Sequence, residues 1–167
     1  MSHPDADASF FFVADNEAAT RRLGRVLAET LPDGTVCALV GTLGAGKTRL
    51  VQAVAEASGL EPGVASSPTF VLLHEYTDAN RPIYHFDAYR LENEVEFQRL
   101  GPEEYFEAGG LTFVEWADRV AGALPPESLE IRITPQGETS RRFEFFAKND
   151  LLREVLQAIM ERLRAST

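Results

Sequence analysis

Residues 35–57 read Thr35-Val-Cys-Ala-Leu-Val40-Gly41-Thr-Leu-Gly-Ala-Gly-Lys47-Thr48-Arg-Leu-Val-Gln-Ala-Val-Ala-Glu-Ala57. This stretch decides the architecture. Thr35 to Val40 is short and nearly all apolar, the pattern of a strand buried on both faces of a parallel sheet. Gly41 to Thr48 then fits G-x-x-x-x-G-K-[ST] without a mismatch. Thr48 to Ala57 places Leu50, Val51, Val54 and Ala55 on one helical stripe, and Ser58-Gly59 stops it. Strand, glycine-rich turn and helix in that order make a phosphate cradle: the glycines let successive main-chain N–H groups point inward, and the helix adds the positive end of its dipole. The nucleotide-binding set is therefore Leu43, Gly44, Ala45, Gly46, Lys47 and Thr48, with the Lys47 ammonium for the β- and γ-phosphates and the Thr48 hydroxyl for Mg²⁺.

Outward from the loop, strands and helices alternate. Phe10 to Val13 reads as a strand, and Asp15 or Asn16 caps a helix whose apolar face is Ala19, Leu23, Val26, Leu27 and Thr30 or Leu31. Pro32-Asp33-Gly34 ends it. On the other side, Pro62 to Pro68 is loop, and the runs Phe70 to Tyr76 and Pro82 to Phe86 form a hairpin about the turn at residues 78–81. Two short helices, Glu92 to Leu100 and Pro102 to Phe106, flank Gly101. Leu111 to Glu115 is a further strand, and Leu129 to Thr134 pairs antiparallel with Arg142 to Phe146. An amphipathic helix over 149–165, with Leu152, Val155, Leu156, Ile159, Met160 and Leu163, docks on the rest. Repeats, low-complexity tracts and linkers are absent from the sequence. The expected fold is α/β and P-loop NTPase-like, with a mostly parallel central sheet, antiparallel edge strands and helices on both faces, in a single domain over 1–167 whose first nine residues are flexible.

At 167 residues, 44% hydrophobic and 25% charged, the chain can bury a substantial core. Asp and Glu outnumber Lys and Arg 26 to 16, a net charge of −10, which repels phosphate backbones and anionic lipid and disfavours free-standing nucleic-acid binding. Every basic residue is Arg except Lys47 and Lys148. Cys37 is the only cysteine, which excludes an internal disulfide and a cysteine metal cluster, and its apolar neighbours mark a buried thiol. The acidic start, Met1 to Asp7, lacks the pattern of a secretion signal, and no apolar run approaches a membrane span. The expected location is the cytoplasm, with no membrane contact.

A phosphate cradle alone binds; hydrolysis also needs a carboxylate at a strand end to orient Mg²⁺ and its water shell. Leu111-Thr-Phe-Val-Glu115 and Ile83-Tyr-His-Phe-Asp87 both end in an acid, and the residues by themselves do not choose between Glu115 and Asp87. The guanine-reading tetrapeptide N-K-x-D does not occur, so ATP is the expected nucleotide. No Arg is identifiable as a finger, which sets a slow intrinsic turnover, lower by about 10³ to 10⁵ than an Arg-assisted site.

Gly41-Thr-Leu-Gly-Ala-Gly-Lys-Thr48, Ser67-Pro-Thr-Phe70, Tyr84-His-Phe-Asp-Ala-Tyr-Arg-Leu91 and Val114-Glu-Trp116, in this order, resemble the TsaE (YjeE) family of small ATPases of bacterial tRNA threonylcarbamoyladenosine synthesis. The resemblance runs from about Asp15 to the strand pair near residue 145. It implies that Thr48 and Glu115 hold Mg²⁺, which breaks the tie. It places Asp87 near the γ-phosphate, to order or activate the attacking water, and Thr69 in a switch-like loop. It also makes Trp116 necessary for activity and gives Glu17 a nucleotide contact. The catalytic set it implies is Lys47, Asp87 and Glu115. Family members usually carry Asp where this chain has Thr42, a change that leaves the main-chain cradle intact. As partners it implies the TsaB–TsaD pair, which transfers threonylcarbamoyl to adenosine 37 of tRNAs reading ANN codons, so that tRNA is contacted indirectly and ATP hydrolysis resets the complex. The competing readings are a small-molecule kinase and a non-catalytic nucleotide-dependent switch module.

Overall fold

The structure, a computed structural model, describes residues 9–165. Of the stretch expected to be flexible, residues 1–8 lie outside the described residues. Ser9 is tied down, its N–H donating to Phe145 O at 2.8 Å and its hydroxyl accepting from Ala147 N at 3.2 Å. Strand β1 spans Phe10–Ala14 and helix α1 Glu17–Thr30; β2 is Val36–Val40 and α2 Lys47–Ala57. β3 (Leu73–Tyr76) and β4 (Ile83–Asp87) follow, then α3 (Glu94–Gln98), α4 (Pro102–Phe106) and β5 (Leu111–Glu115). Last come β6 (Leu129–Pro135), β7 (Arg141–Phe146) and α5 (Asp150–Ala165).

The seven strands form one sheet in the order β1-β7-β6-β2-β5-β4-β3. β6, β2, β5 and β4 run parallel, while β7, β1 and β3 join antiparallel at the two sides. The expected α/β architecture, with parallel strands central and antiparallel strands at the edge, is therefore what forms. Alternation along each strand divides the core. Cys37, Leu39, Phe113, Ile131 and Phe143 face α1, α2 and α5, whereas Val36, Ala38, Phe86 and Val114 face α3, α4 and the turn after β5. In the second layer Phe86 meets Phe97 and Tyr105 edge-on, each at 5.4 Å between ring centroids.

Local chemistry explains the element ends. The Asn16 side chain accepts from Ala19 N at 2.9 Å and caps α1. α1 crosses α2 at Gly24, where a Cβ would lie 2.5 Å from Ala53 Cβ, so only glycine permits this approach. α5 docks through Leu152, Leu156, Ile159 and Leu163, as its periodicity predicts. Cys37 is fully buried, and burial pushes its thiol pKa up to about 12.

Two expectations are corrected. The strand expected from Phe70 begins only at Leu73. Leu72 has φ 69° and its N–H bonds Pro68 O, so residues 68–72 curl and leave Phe70 and Val71 exposed. The helix expected over Glu92 to Leu100 shortens to Glu94–Gln98, started by the Asn93 side chain accepting from Glu96 N. A 3-10 segment over Ala117–Ala123, interrupted at Val120, has no counterpart in the sequence reading.

Candidate functional site

β2 and β5 are neighbours, yet the chain leaves them on opposite faces, through α2 on one and the 3-10 segment on the other. Such a divergence opens a crevice at the carboxyl ends of the strands. The glycine-rich loop, Gly41–Gly46, lies in it. Gly46 adopts φ 111°, a conformation an L side chain resists, as the chain turns into α2. No side chain caps α2, so its first-turn N–H groups are available to an anion.

In register, Asp87 pairs with Glu115 and His85 with Phe113. Alternation then turns His85, Asp87 and Glu115 toward α2. Thr48 Oγ1 stands 2.9 Å from both carboxylate oxygens of Glu115, and His85 Nε2 is 2.6 Å from Glu115 Oε2. Asp87 accepts from Thr69 Oγ1 at 2.9 Å and Ser67 Oγ at 3.3 Å through Oδ2, and from Tyr89 N at 2.9 Å through Oδ1. These three donors fix its rotation.

The Lys47 ammonium donates to Gly41 O at 2.7 Å and Thr42 O at 2.8 Å, and lies 4.0 Å from the centroid of the Trp116 ring. Burial draws its pKa below the ordinary lysine value, against the opposing pull of the Glu115, Asp87 and Asp118 carboxylates. Trp116 reaches this position because its backbone is left-handed, φ 58°, directly after β5. Tyr89 packs against the Trp116 indole at 5.0 Å between ring centroids.

A cavity of about 270 Å³ is lined by Leu43, Gly44, Ala45, Gly46, Lys47, Thr48, Thr69, Asp87, Glu115 and Trp116. All of these are residues the sequence reading singled out. Glu17 is the exception: it opens α1, is exposed, and touches the rim only through Arg49, whose Nε is 3.9 Å from its Oε1. The sequence reading missed Arg49, Ser67 and Tyr89 in the lining, and His85 behind it. Ser67, Tyr89 and His85 all stand inside the quoted motifs, and the period of two from Asp87 carries the signal for His85. Hollows of about 660 Å³ beside β1 and α5 and about 400 Å³ at the other end of β2 are larger, but neither brings together a cradle, an ammonium and paired carboxylates.

Among the described residues no group of three or more His, Cys, Asp or Glu could hold a metal ion. A cation here would have one carboxylate and one hydroxyl from the chain and would take its remaining oxygens from water and phosphate. That donor set suits Mg²⁺ and not a metal needing a full protein cage.

The sequence profile of the family described as "Threonylcarbamoyl adenosine biosynthesis protein TsaE" matches residues 14–143. A Bacillus subtilis (strain 168) protein called tRNA threonylcarbamoyladenosine biosynthesis protein TsaE is 39% identical over 132 residues, 79% of this chain and 82% of the relative. Its namesake from Nostoc sp. (strain PCC 7120) is 38% identical over 149 residues, 87% and 90% of the two chains. The crystal structure of Bacillus subtilis YdiB superposes with a TM-score of 0.78 at 30% identity, covering 91% of this chain and 94% of that one. With a family profile matching residues 14–143 and a fold and sequence shared over most of its length, the chain belongs to the TsaE family.

Proposed function

We propose that the protein is a Mg²⁺-dependent ATPase of tRNA threonylcarbamoyladenosine biosynthesis, working in the cytoplasm with a TsaB–TsaD pair on tRNAs that read ANN codons. The supporting observation is the convergence of one ammonium, one hydroxyl and two buried carboxylates on a glycine-rich loop. Lys47, Asp87 and Glu115 are all under 5% exposed.

In this reading the main-chain N–H groups of the P-loop and the Lys47 ammonium bind the β- and γ-phosphates. Lys47 leaves the Gly41 and Thr42 carbonyls to do so, exchanging one set of oxygens for another. Thr48 and Glu115 hold Mg²⁺, which when bound neutralises charge developing between the phosphates. Asp87 orients the attacking water and accepts its proton through an oxygen lone pair not used by Ser67, Thr69 or Tyr89. Thr69 couples this carboxylate to the exposed Phe70 turn, which makes the Ser67–Leu72 segment the switch. Trp116 holds the ammonium over the cavity floor. Without an identified arginine finger, turnover of the free chain is slow and the partners accelerate it.

The test measures ATP binding, ATP hydrolysis and tRNA modification with and without TsaB and TsaD. Lys47→Ala loses ATP binding; Asp87→Ala keeps binding and loses at least about 10²-fold in turnover, as removal of a general base does. Normal hydrolysis by both variants would reject the reading. A phosphorylated metabolite in place of free phosphate would establish the kinase alternative, and a single turnover per complex the switch alternative.

A further inference from the structure

His85 has no part in the reading above, yet its ring is 1% exposed and its Nε2 makes the shortest contact in the site, 2.6 Å to Glu115 Oε2. It projects from β4 toward α2, one strand over from Glu115 and two residues short of it in register. A carboxylate only accepts, so Nε2 carries the proton and donates. The other ring nitrogen, Nδ1, is buried and has no hydrogen-bond partner among the described residues. Packing alone is poorly served by this arrangement, because a buried ring nitrogen without a partner costs free energy that an apolar side chain of the same size would not. What the imidazole supplies that such a side chain cannot is the Nε2–H on Glu115.

We infer that His85 is a positioning residue: it fixes the rotation of the Glu115 carboxylate so that Glu115 and Thr48 meet a divalent cation together. The inference rests on the Mg²⁺-dependent reading of the site. Among the described residues the carboxylate has two hydrogen-bond partners, His85 on Oε2 and the Thr48 hydroxyl shared between both oxygens. When the Thr48 oxygen turns to a cation, His85 alone keeps Glu115 from rotating. Outer partners of this kind typically change metal affinity 10- to 100-fold when removed.

The test uses the full chain with His85→Leu, His85→Asn and His85→Gln. ATP affinity is measured by calorimetry in excess EDTA and again across a magnesium chloride titration, with melting temperature recorded for each variant. The Gln amide nitrogen reaches about as far as Nε2, and the Asn nitrogen falls one methylene short. The expected result is equal ATP affinity in EDTA for all four proteins. The magnesium concentration giving half its effect rises about 10-fold or more in His85→Leu and His85→Asn, with most of the loss restored in His85→Gln. If His85→Leu does not melt cooperatively, the Asn and Gln pair decides. Variants that lose melting temperature but keep the wild-type magnesium dependence would overturn the inference and show a packing role only. A wild type whose ATP affinity ignores magnesium would instead overturn the reading on which the inference rests.

Discussion

Trp116 occupies a left-handed backbone conformation that a residue with a Cβ enters at a cost of about 1–2 kcal/mol. The cost is offset at the site, where the indole lies over the Lys47 ammonium and against Tyr89. Ring and backbone can be separated by mutation. Trp116→Gly and Trp116→Ala both remove the ring, but Gly is freed from the strain, so Trp116→Gly should be more stable than Trp116→Ala by about 1 kcal/mol. Urea denaturation of the two variants checks this, and equal midpoints would mean that the turn relaxes. Cys37 offers a second test. Its folded pKa is raised to about 12 from 9.0. Between these values the unfolded chain binds fewer protons than the folded one, so the contribution is complete below pH 9 and is lost as pH rises toward 12. Cys37→Ala should therefore lose less melting temperature than the wild type from pH 8 to pH 10, though it starts lower for the cavity it creates. A thiol reagent should react only on unfolding.

The contact between α1 and α2 depends on Gly24. A Cβ there would also meet Ala53 C at 2.7 Å, backbone that cannot swing away. Gly24→Val should push the helices apart and destabilise by about 1–3 kcal/mol, the range for overpacking, with ATP affinity falling because α2 carries Lys47 and Thr48. A wild-type urea midpoint would show that the helices are not locked. This element pair also shows what the sequence discloses and what it conceals. The alternation of strands with helices was legible, because β2 is an unbroken apolar run, α1 and α2 each carry one apolar face, and Asn16 marks a start. The glycine-rich loop was legible because its pattern is local. Phe70 to Leu72 was misread because its composition is that of a strand, whereas its shape follows from Asp87, distant in sequence, which accepts from Thr69 and Ser67. The 3-10 segment after β5 was invisible because Ala117 to Ala123 has no periodic face and starts from a strained Trp116. His85 stood in a quoted motif, but its role needs β4 and β5 side by side, which pairing alone establishes.

Across the whole molecule a net charge of −10 surrounds a site that, in the proposed function, takes a polyphosphate. The attraction is therefore local: main-chain N–H groups and one buried ammonium act at contact distance, where screening is weak, while the surface charge acts over a Debye length. On the outer side of β6 and β7, Arg132 lies 3.3 Å from Glu130 and Arg142 lies 3.7 Å from Glu144; elsewhere Arg81 pairs with Asp33 at 3.0 Å and Arg49 with Glu17 at 3.9 Å. A tRNA backbone approaching β6 and β7 thus meets arginines that already face carboxylates, within a negative field. A protein that binds through phosphate contacts tightens steeply as salt falls from about 200 to about 50 mM, because each contact releases counterions. The free chain should do the reverse: no tRNA retained at the higher salt, and none gained at the lower, as repulsion grows when screening is withdrawn. Gel shift with unmodified tRNA over that range tests the division of labour directly. Tight, salt-sensitive binding by this chain alone would assign it the tRNA contact that the proposed function leaves to its partners, and retention only when TsaB and TsaD are added would leave it with the nucleotide.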